Sequence, residues 1–281
     1  MPGTPRSLTA STDDGGRVVV LDSLTHVDAR ITPRDVVVAG SFAGALAFAF
    51  ALERGVRGLI AHEAGVGRAR AGISGLPLAE RLGLPAAAVA TDSARLGDGR
   101  SVHDDGVVSH ANGVAAALGV RPGLPAAAAA RAMLAAPPGA PAAGALVDRS
   151  ARIAEETANG RVVLVDSMGF AGPEHRGDVL CAGSHAGRVN VLGLVALRPR
   201  GALFNDGGIA RDRSGVSGLP VLDAVGVPAA AVAAMSARIG EAASTWADGV
   251  VSVANEAARR LGVAPDQPAR EAARRMLGGG R

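Results

Sequence analysis

The feature that most constrains this chain is internal repetition. Sliding the sequence against itself by 143 residues aligns Gly40–Val120 with Gly183–Val263 without a gap, and 37 of the 81 positions are identical. Chance does not supply that, even in a sequence rich in Ala, Gly and Val. Upstream, VVVLDS ending at Ser23 matches VVLVDS ending at Ser167 at an offset one residue larger, so a single-residue length change lies in the loop between. The repetition predicts a tandem duplication of one unit, at 17–134 and 161–277, with the copies folded together into one pseudo-symmetric body. Residues 1–16 read as a flexible tail and 135–160 as a Pro/Ala/Gly linker followed by a short helix over 147–158.

Within a copy, short β-branched runs alternate with Ala/Leu-rich stretches. Val18–Leu21, Val36–Ala39, Arg57–Ala61 and Ala86–Ala90 have the length and composition of strands. Ala43–Arg54 and Ser74–Leu82 read as helices, the second with Ser74 as N-cap. A long final helix is expected over Val102–Leu118, ended by Gly119, because its counterpart carries Trp246, Val250, Val253, Ala257 and Leu261 at helical spacing. Strands apolar on both faces and separated by helices call for a mostly parallel sheet with helices on each side. The expected fold class is therefore α/β, as two tandem repeats of a three-layer, Rossmann-like unit.

Composition narrows the function classes. The sequence pI is about 10.6, yet the net charge is only +3 and every basic group is Arg. With 2% aromatics, no Tyr and no basic run, stacking platforms and phosphate-tracking patches are missing, so no nucleic-acid partner is expected. The single Cys181 excludes a disulfide framework and a Cys-based zinc site. The polar N-terminus lacks the order of a signal peptide, and a cytoplasmic location is expected. Val36–Leu52 is uncharged and long enough to suggest a membrane span, but the second copy places Arg188 and Asn190 where the first has Ala45 and Ala47, so no membrane association is expected.

In parallel α/β folds, ligands bind beyond the carboxyl ends of the strands, and most polar interruptions of the apolar pattern fall there. AGSFAG and AGSHAG, carrying Ser41 and Ser184, follow the second strand; their glycines and hydroxyls suit either an anion at a helix N-terminus or simple capping. Position 42 is Phe where position 185 is His, the residue type whose side chain ordinarily titrates nearest neutrality. Adjacent residues rarely point at each other, so any base for Ser184 must come from elsewhere in the fold. His62–Glu63 and Asn205–Asp206 follow the third strand, offering an acid and a group to orient a carbonyl or water; alternatively each acid pairs with a nearby Arg, Arg68 or Arg70 in the first copy and Arg211 or Arg213 in the second. Ser236 and Arg238, matched by Ser93 and Arg95, follow the fourth strand, where a guanidinium grips a carboxylate or phosphate or else pairs with Glu241 or Asp248, matched by Asp98 and Asp105 in the first copy. The six His residues show no zinc-site spacing; a composite of Asp22, His62 and Glu63 is the only metal arrangement the pattern suggests, and no metal or cofactor is expected.

These residues point to an enzyme acting on a small anionic or carbonyl-containing metabolite by acid–base or hydrolytic chemistry. Ser184, His185 and Asp206 are the expected catalytic set; Ser41, Asn205, Ser236, Arg238, Arg95, His62 and Glu63 are the expected substrate contacts. The alternatives are a non-catalytic ligand-binding or sensor protein using the same loops, and a structural subunit of a homo-oligomer.

Overall fold

The computed structural model describes residues 6–8 and 15–278, with side chains from Gly15 onward. The protein is mixed α/β, with two mostly parallel sheets. The chain divides into two compact units. The first contains residues 1–65, 72–148 and 210–212, and the second 66–71, 149–209 and 213–281.

In the first unit, strands β1 (Arg6–Leu8), β2 (Val18–Leu21), β3 (Val36–Phe42), β4 (Gly58–His62), β5 (Ala86–Val89) and β6 (Val108–Ala111) stand in chain order across the sheet. β2 to β5 are parallel, and β1 and β6 are antiparallel edges. Helices α1 (Ala45–Leu52) and α2 (Gly75–Arg81) make the crossovers that parallel neighbours require. α3 (Gly99–Asp104), α4 (Gly113–Ala117) and α5 (Ala126–Met133) complete the unit. Every residue of β2 to β5 is buried, as expected of strands covered on both faces. Residues 6–8 thus form an edge strand where the sequence reads as a tail; the remainder of that expected tail, apart from Gly15 and Gly16, lies outside the described residues.

The second unit has the same strand order. β7 (Ala151–Thr157), β8 (Gly160–Val165), β9 (Val179–His185), β10 (Gly201–Asn205), β11 (Ala229–Val232) and β12 (Val251–Ala254) again run antiparallel only at the edges. Helices are α6 (Arg188–Leu197), α7 (Leu219–Asp223), α8 (Ala242–Asp248), α9 (Glu256–Arg260) and α10 (Ala269–Met276). The period of two sorts its core. Val162, Leu164, Cys181 and Leu203 face α8 and α10, whereas Val163, Val165, Leu180 and Phe204 face α6 and α7. At about 1.5–3 kcal/mol for each large apolar side chain removed from water, both faces hold the sheet, and a polar residue admitted to such a strand must find partners there.

Two expected helices are not helices. Val102–Leu118 is α3, then β6, then α4. Gly106 sits where a Cβ would lie 2.2 Å from Val102 O, and Asn112 starts α4 by accepting from Ala115 N at 3.0 Å while donating to Leu84 O at 2.9 Å. The helical spacing of Trp246, Val250, Val253, Ala257 and Leu261 is coincidental, spread over α8, β12 and α9. The expected helix over 147–158 is largely strand β7, closed onto β8 by a two-residue turn in which Thr157 pairs with Gly160; Asn159-Gly160 is the hairpin signal that a helical reading overlooks. The uncharged stretch Val36–Leu52 is a strand, a turn and an eight-residue helix. Among the described residues, no helix is long and apolar enough to cross a membrane.

The linker is a strap within the first unit. Ala142 N–H donates to Leu52 O at 2.9 Å, and Leu146 and Val147 donate to Glu53 Oε1 at 2.8 and 3.0 Å. Behind β4 and β10 the backbone turns left-handed for four residues in a row. Ala64, Gly65, Val66 and Gly67 have φ of 49°, 74°, 59° and 68°; Gly207, Gly208, Ile209 and Ala210 have 59°, 70°, 65° and 57°.

Candidate functional site

The carboxyl ends of β4 and β5 in the first unit hold a cluster built around Glu63. Its N–H is tied to Val89 O at 3.0 Å, which fixes the residue beside the end of β5. Its Oε1 accepts from Thr91 N and from the Thr91 hydroxyl, both at 2.8 Å, and its Oε2 accepts from the Ser109 hydroxyl. Ser109 reaches it because β6 carries a bulge. Ala88 pairs with His110 and Val89 with Val108, leaving Ser109 as the extra residue between them. A bulge re-aims a side chain and relaxes the alternation of a strand, so here two consecutive side chains converge. His110 Nδ1 lies 3.1 Å from Ser109 Oγ and 3.4 Å from Glu63 Oε2. Burial pushes the Glu63 carboxyl up, but the hydrogen bonds from Ser109 and Thr91 and the neighbouring His110 outweigh it and hold Glu63 below the usual carboxylate range. Glu63 is therefore an anion at neutral pH. The His110 side chain, 32% exposed, is reachable from solvent.

The second unit repeats the bracket and closes it. Asp206 Oδ1 accepts from Gly208 N and Ala234 N, each at 2.9 Å, and Oδ2 accepts from Ser252 at 2.9 Å. Ser252 is again the extra residue of a bulge, between the Ala231–Val253 and Val232–Val251 pairs. Two differences compensate each other. Glu63 is a methylene longer than Asp206, and the Thr91 hydroxyl bridges it to Gly65 N at 2.8 Å, whereas Gly208 N reaches Asp206 directly and position 234 is Ala. The third difference has no compensation. Where the first unit has His110, the second has Val253, packed against the core formed with α6 and α7.

The other residues expected in a site lie mostly in the framework. His62 is fully buried: its Nδ1 accepts from Ala64 N at 2.9 Å, and its Nε2 donates to Ala94 O at 3.0 Å. Asn205 does the same work, accepting from Gly207 N at 2.9 Å and donating to Ala237 O at 3.1 Å. Both side chains brace the turn behind the acid, and burial lowers the pKa of His62, favouring its neutral form. Ser41 and Ser184 accept from Leu24 N at 2.8 Å and Met168 N at 2.9 Å, anchoring the loop after the first parallel strand. Several N–H groups of the glycine turns around them are already used. Ala43 N is bonded to His62 O and Ala186 N to Asn205 O, and the first helical N–H groups, of Ala45 and Arg188, are capped by Ser74 at 2.9 Å and Ser217 at 3.0 Å. Ser74 thus caps α1, and not its own helix as the sequence leads one to expect.

Ser184, His185 and Asp206, the expected catalytic set, each serve a different backbone group, His185 Nδ1 accepting from Gly187 N at 3.1 Å. Ser236 is fixed between Ala233 O at 2.7 Å and Val250 N at 2.9 Å. Arg238 pairs with Glu241 at 2.7 Å. In the first unit, Arg95 pairs with Asp212 at 2.8 Å and Asp98 at 3.7 Å. Among the described residues, neither Glu63 nor Asp206 takes an Arg partner. Arg211 pairs with Asp105 within the first unit, and Arg68 with Asp248 within the second.

Ser109 and His110 complete the cluster around Glu63, and sequence reasoning passed over them. Their signal is in the repeat itself, where VSHA aligns with VSVA, but assigning the segment to a helix hides it. Cys181 is buried and its thiol is pushed up by burial, which leaves it unreactive. Among the described residues, no group of three or more His, Cys, Asp or Glu side chains is placed to hold a metal ion. No protein-family model, no curated protein and no solved structure matches the chain.

Proposed function

We propose that this protein is an enzyme acting on a small anionic or carbonyl-containing metabolite by acid–base or hydrolytic chemistry, and that Glu63 and His110 are its working pair. The observation that carries this reading is the imidazole 3.4 Å from a half-buried, ionised carboxylate, at a position where the otherwise matching bracket of the second unit has Val253. The carboxylate lies beside His110 Nδ1, and the imidazole is the group placed to take or give a proton. Asp206, closed by backbone N–H groups and Ser252, acts as support. The 37 identities in 81 aligned positions and the common strand order favour an origin by duplication in which one copy specialised. A reducing, cytoplasmic setting suits the single buried thiol.

The test is turnover of a panel of small esters, lactones and oxo acids, followed by proton release. His110→Val, which copies the second unit, is expected to lower kcat by about 10²–10⁴ while the melting transition stays in place. A His110→Val protein as active as wild type would refute the assignment.

A further inference from the structure

We propose that Ser109 is a covalent nucleophile, so that the first unit hydrolyses small acyl compounds through an ester on Ser109 Oγ. This rests on the acid–base reading of Glu63 and His110 and deepens it. Nucleophilic serine chemistry needs a hydroxyl within hydrogen-bond reach of a base. Both are present within one bulge, and a carboxylate from the neighbouring strand end lies beside the same ring nitrogen. Ser109 Oγ is 3.1 Å from His110 Nδ1, and His110 Nδ1 is 3.4 Å from Glu63 Oε2. Adjacent Ser and His side chains do not normally meet on a strand; here they do because Ser109 is the unpaired residue of the bulge. The Ser109 hydroxyl carries one proton and has three acceptors around it, Glu63, Ala88 O at 3.2 Å and His110, so rotation about its C–O bond redirects the proton from carboxylate to imidazole.

The steps balance without a further reactant. With the ring proton on Nε2, Nδ1 accepts the Ser109 proton as Oγ bonds to the substrate carbonyl carbon and the carbonyl π pair moves onto oxygen. The imidazolium so formed lies beside the Glu63 anion, where opposite charges attract most strongly. The oxyanion reforms its C=O, the bond to the leaving group breaks, and that group takes the proton from His110. Water then attacks the ester, giving a proton to His110, and Ser109 leaves with that proton, releasing the carboxylic acid. The net reaction is acyl–X plus water to acid plus HX.

The second unit is an internal comparison. Ser252 occupies the same bulge, donates to the same kind of carboxylate at 2.9 Å and is likewise half-buried, but its neighbour is Val253. A hydroxyl made reactive by the bulge or the carboxylate alone would react in both units; one activated by His110 reacts in the first only.

The experiment treats the full chain with a fluorophosphonate, followed by intact mass and peptide mapping. One adduct is expected, on Ser109, with Ser252 unmodified and the labelling rate lowered about 10²-fold or more in His110→Val. No adduct, equal labelling of Ser109 and Ser252, or labelling indifferent to His110→Val would each overturn the proposal. Ser109→Ala separates it from the reading it rests on. If Ser109→Ala keeps wild-type turnover on the same substrate panel while His110→Val loses it, the nucleophile is wrong and the acid–base pair stands. If His110→Val also keeps turnover, both fall. Unfolding of Ser109→Ala beside Ser252→Ala shows what the lost hydroxyl does to the fold alone.

Discussion

Glu63 and Asp206 occupy matching places behind matching strands, and comparing them separates scaffold from chemistry. Around Asp206 the donors among the described residues are backbone N–H groups and a hydroxyl, and the neighbouring, partly buried Val253 packs against the core. Around Glu63 the same bracket is assembled with a longer acid, a threonine to bridge the added length, and an imidazole in place of the valine. The bracket is structural in both units. The titratable ring is the part that a structural role does not require.

Perturbing the scaffold should affect the two units alike, and perturbing the cluster should not. The largest effect is expected from Gly40→Ala and Gly183→Ala. Their new Cβ atoms would lie 2.4 Å from Asp98 N and 2.6 Å from Glu241 N, backbone atoms that cannot swing away, and overpacking of this kind costs about 1–3 kcal/mol or more. Thermal melts should drop for both; a large drop for only one would break the equivalence of the units. Next comes Asp206→Ala, which strands the buried N–H of Ala234 at a cost of about 1–3 kcal/mol, measured by urea unfolding.

Acid should act more selectively. Glu63 and Asp35 are both held below the usual carboxylate range. For Asp35, burial acts upward but the Arg17 hydrogen bond, with Thr32 and the Arg17 charge, outweighs it. A depressed carboxyl contributes stability above its unfolded value of about 4 and loses it as pH falls through the folded value. Glu63→Gln should therefore flatten the decline in stability below about pH 4, seen by denaturant titration at stepped pH. A smaller effect is expected from His62→Asn, which copies Asn205. Burial lowers the His62 pKa, so its contribution is present above the unfolded value of about 6.5 and is lost as pH falls below it. The variant should melt near wild type at pH 8 and above it at pH 5. The reverse order would mean that the two braces are not equivalent. Arg238→Ala, which breaks an exposed pair, should change stability by less than about 0.5 kcal/mol.

The parallel strands were legible because burial on both faces leaves unbroken β-branched or Ala-rich runs, as in Val36–Val38 and Ala86–Val89. The strand-end rule likewise brought out Glu63 and Asp206. Ser109 and His110 were hidden because a bulge adds one residue to one partner of a pair and leaves no trace in composition or period. The edge strands β6 and β12 are only four residues long, so a helical spacing ran through them. His62, Asn205, Ser41 and Ser184 looked chemical for a different reason. A polar residue inside a buried strand is conspicuous in sequence whether it serves a ligand or the backbone, and only the partners of its atoms tell the two apart.

The left-handed turns behind both acids have a stereochemical consequence. Four consecutive residues there have positive φ, which L-amino acids avoid at a cost of about 1–3 kcal/mol for each residue other than glycine. Glycine relieves Gly65, Gly67, Gly207 and Gly208, but Ala64, Val66, Ile209 and Ala210 bear the strain, with φ between 49° and 65°. Glycine at position 66 would ease that strain while widening the unfolded ensemble. In these two stretches, then, the handedness of the building blocks sets a cost that neither their polarity nor their size accounts for.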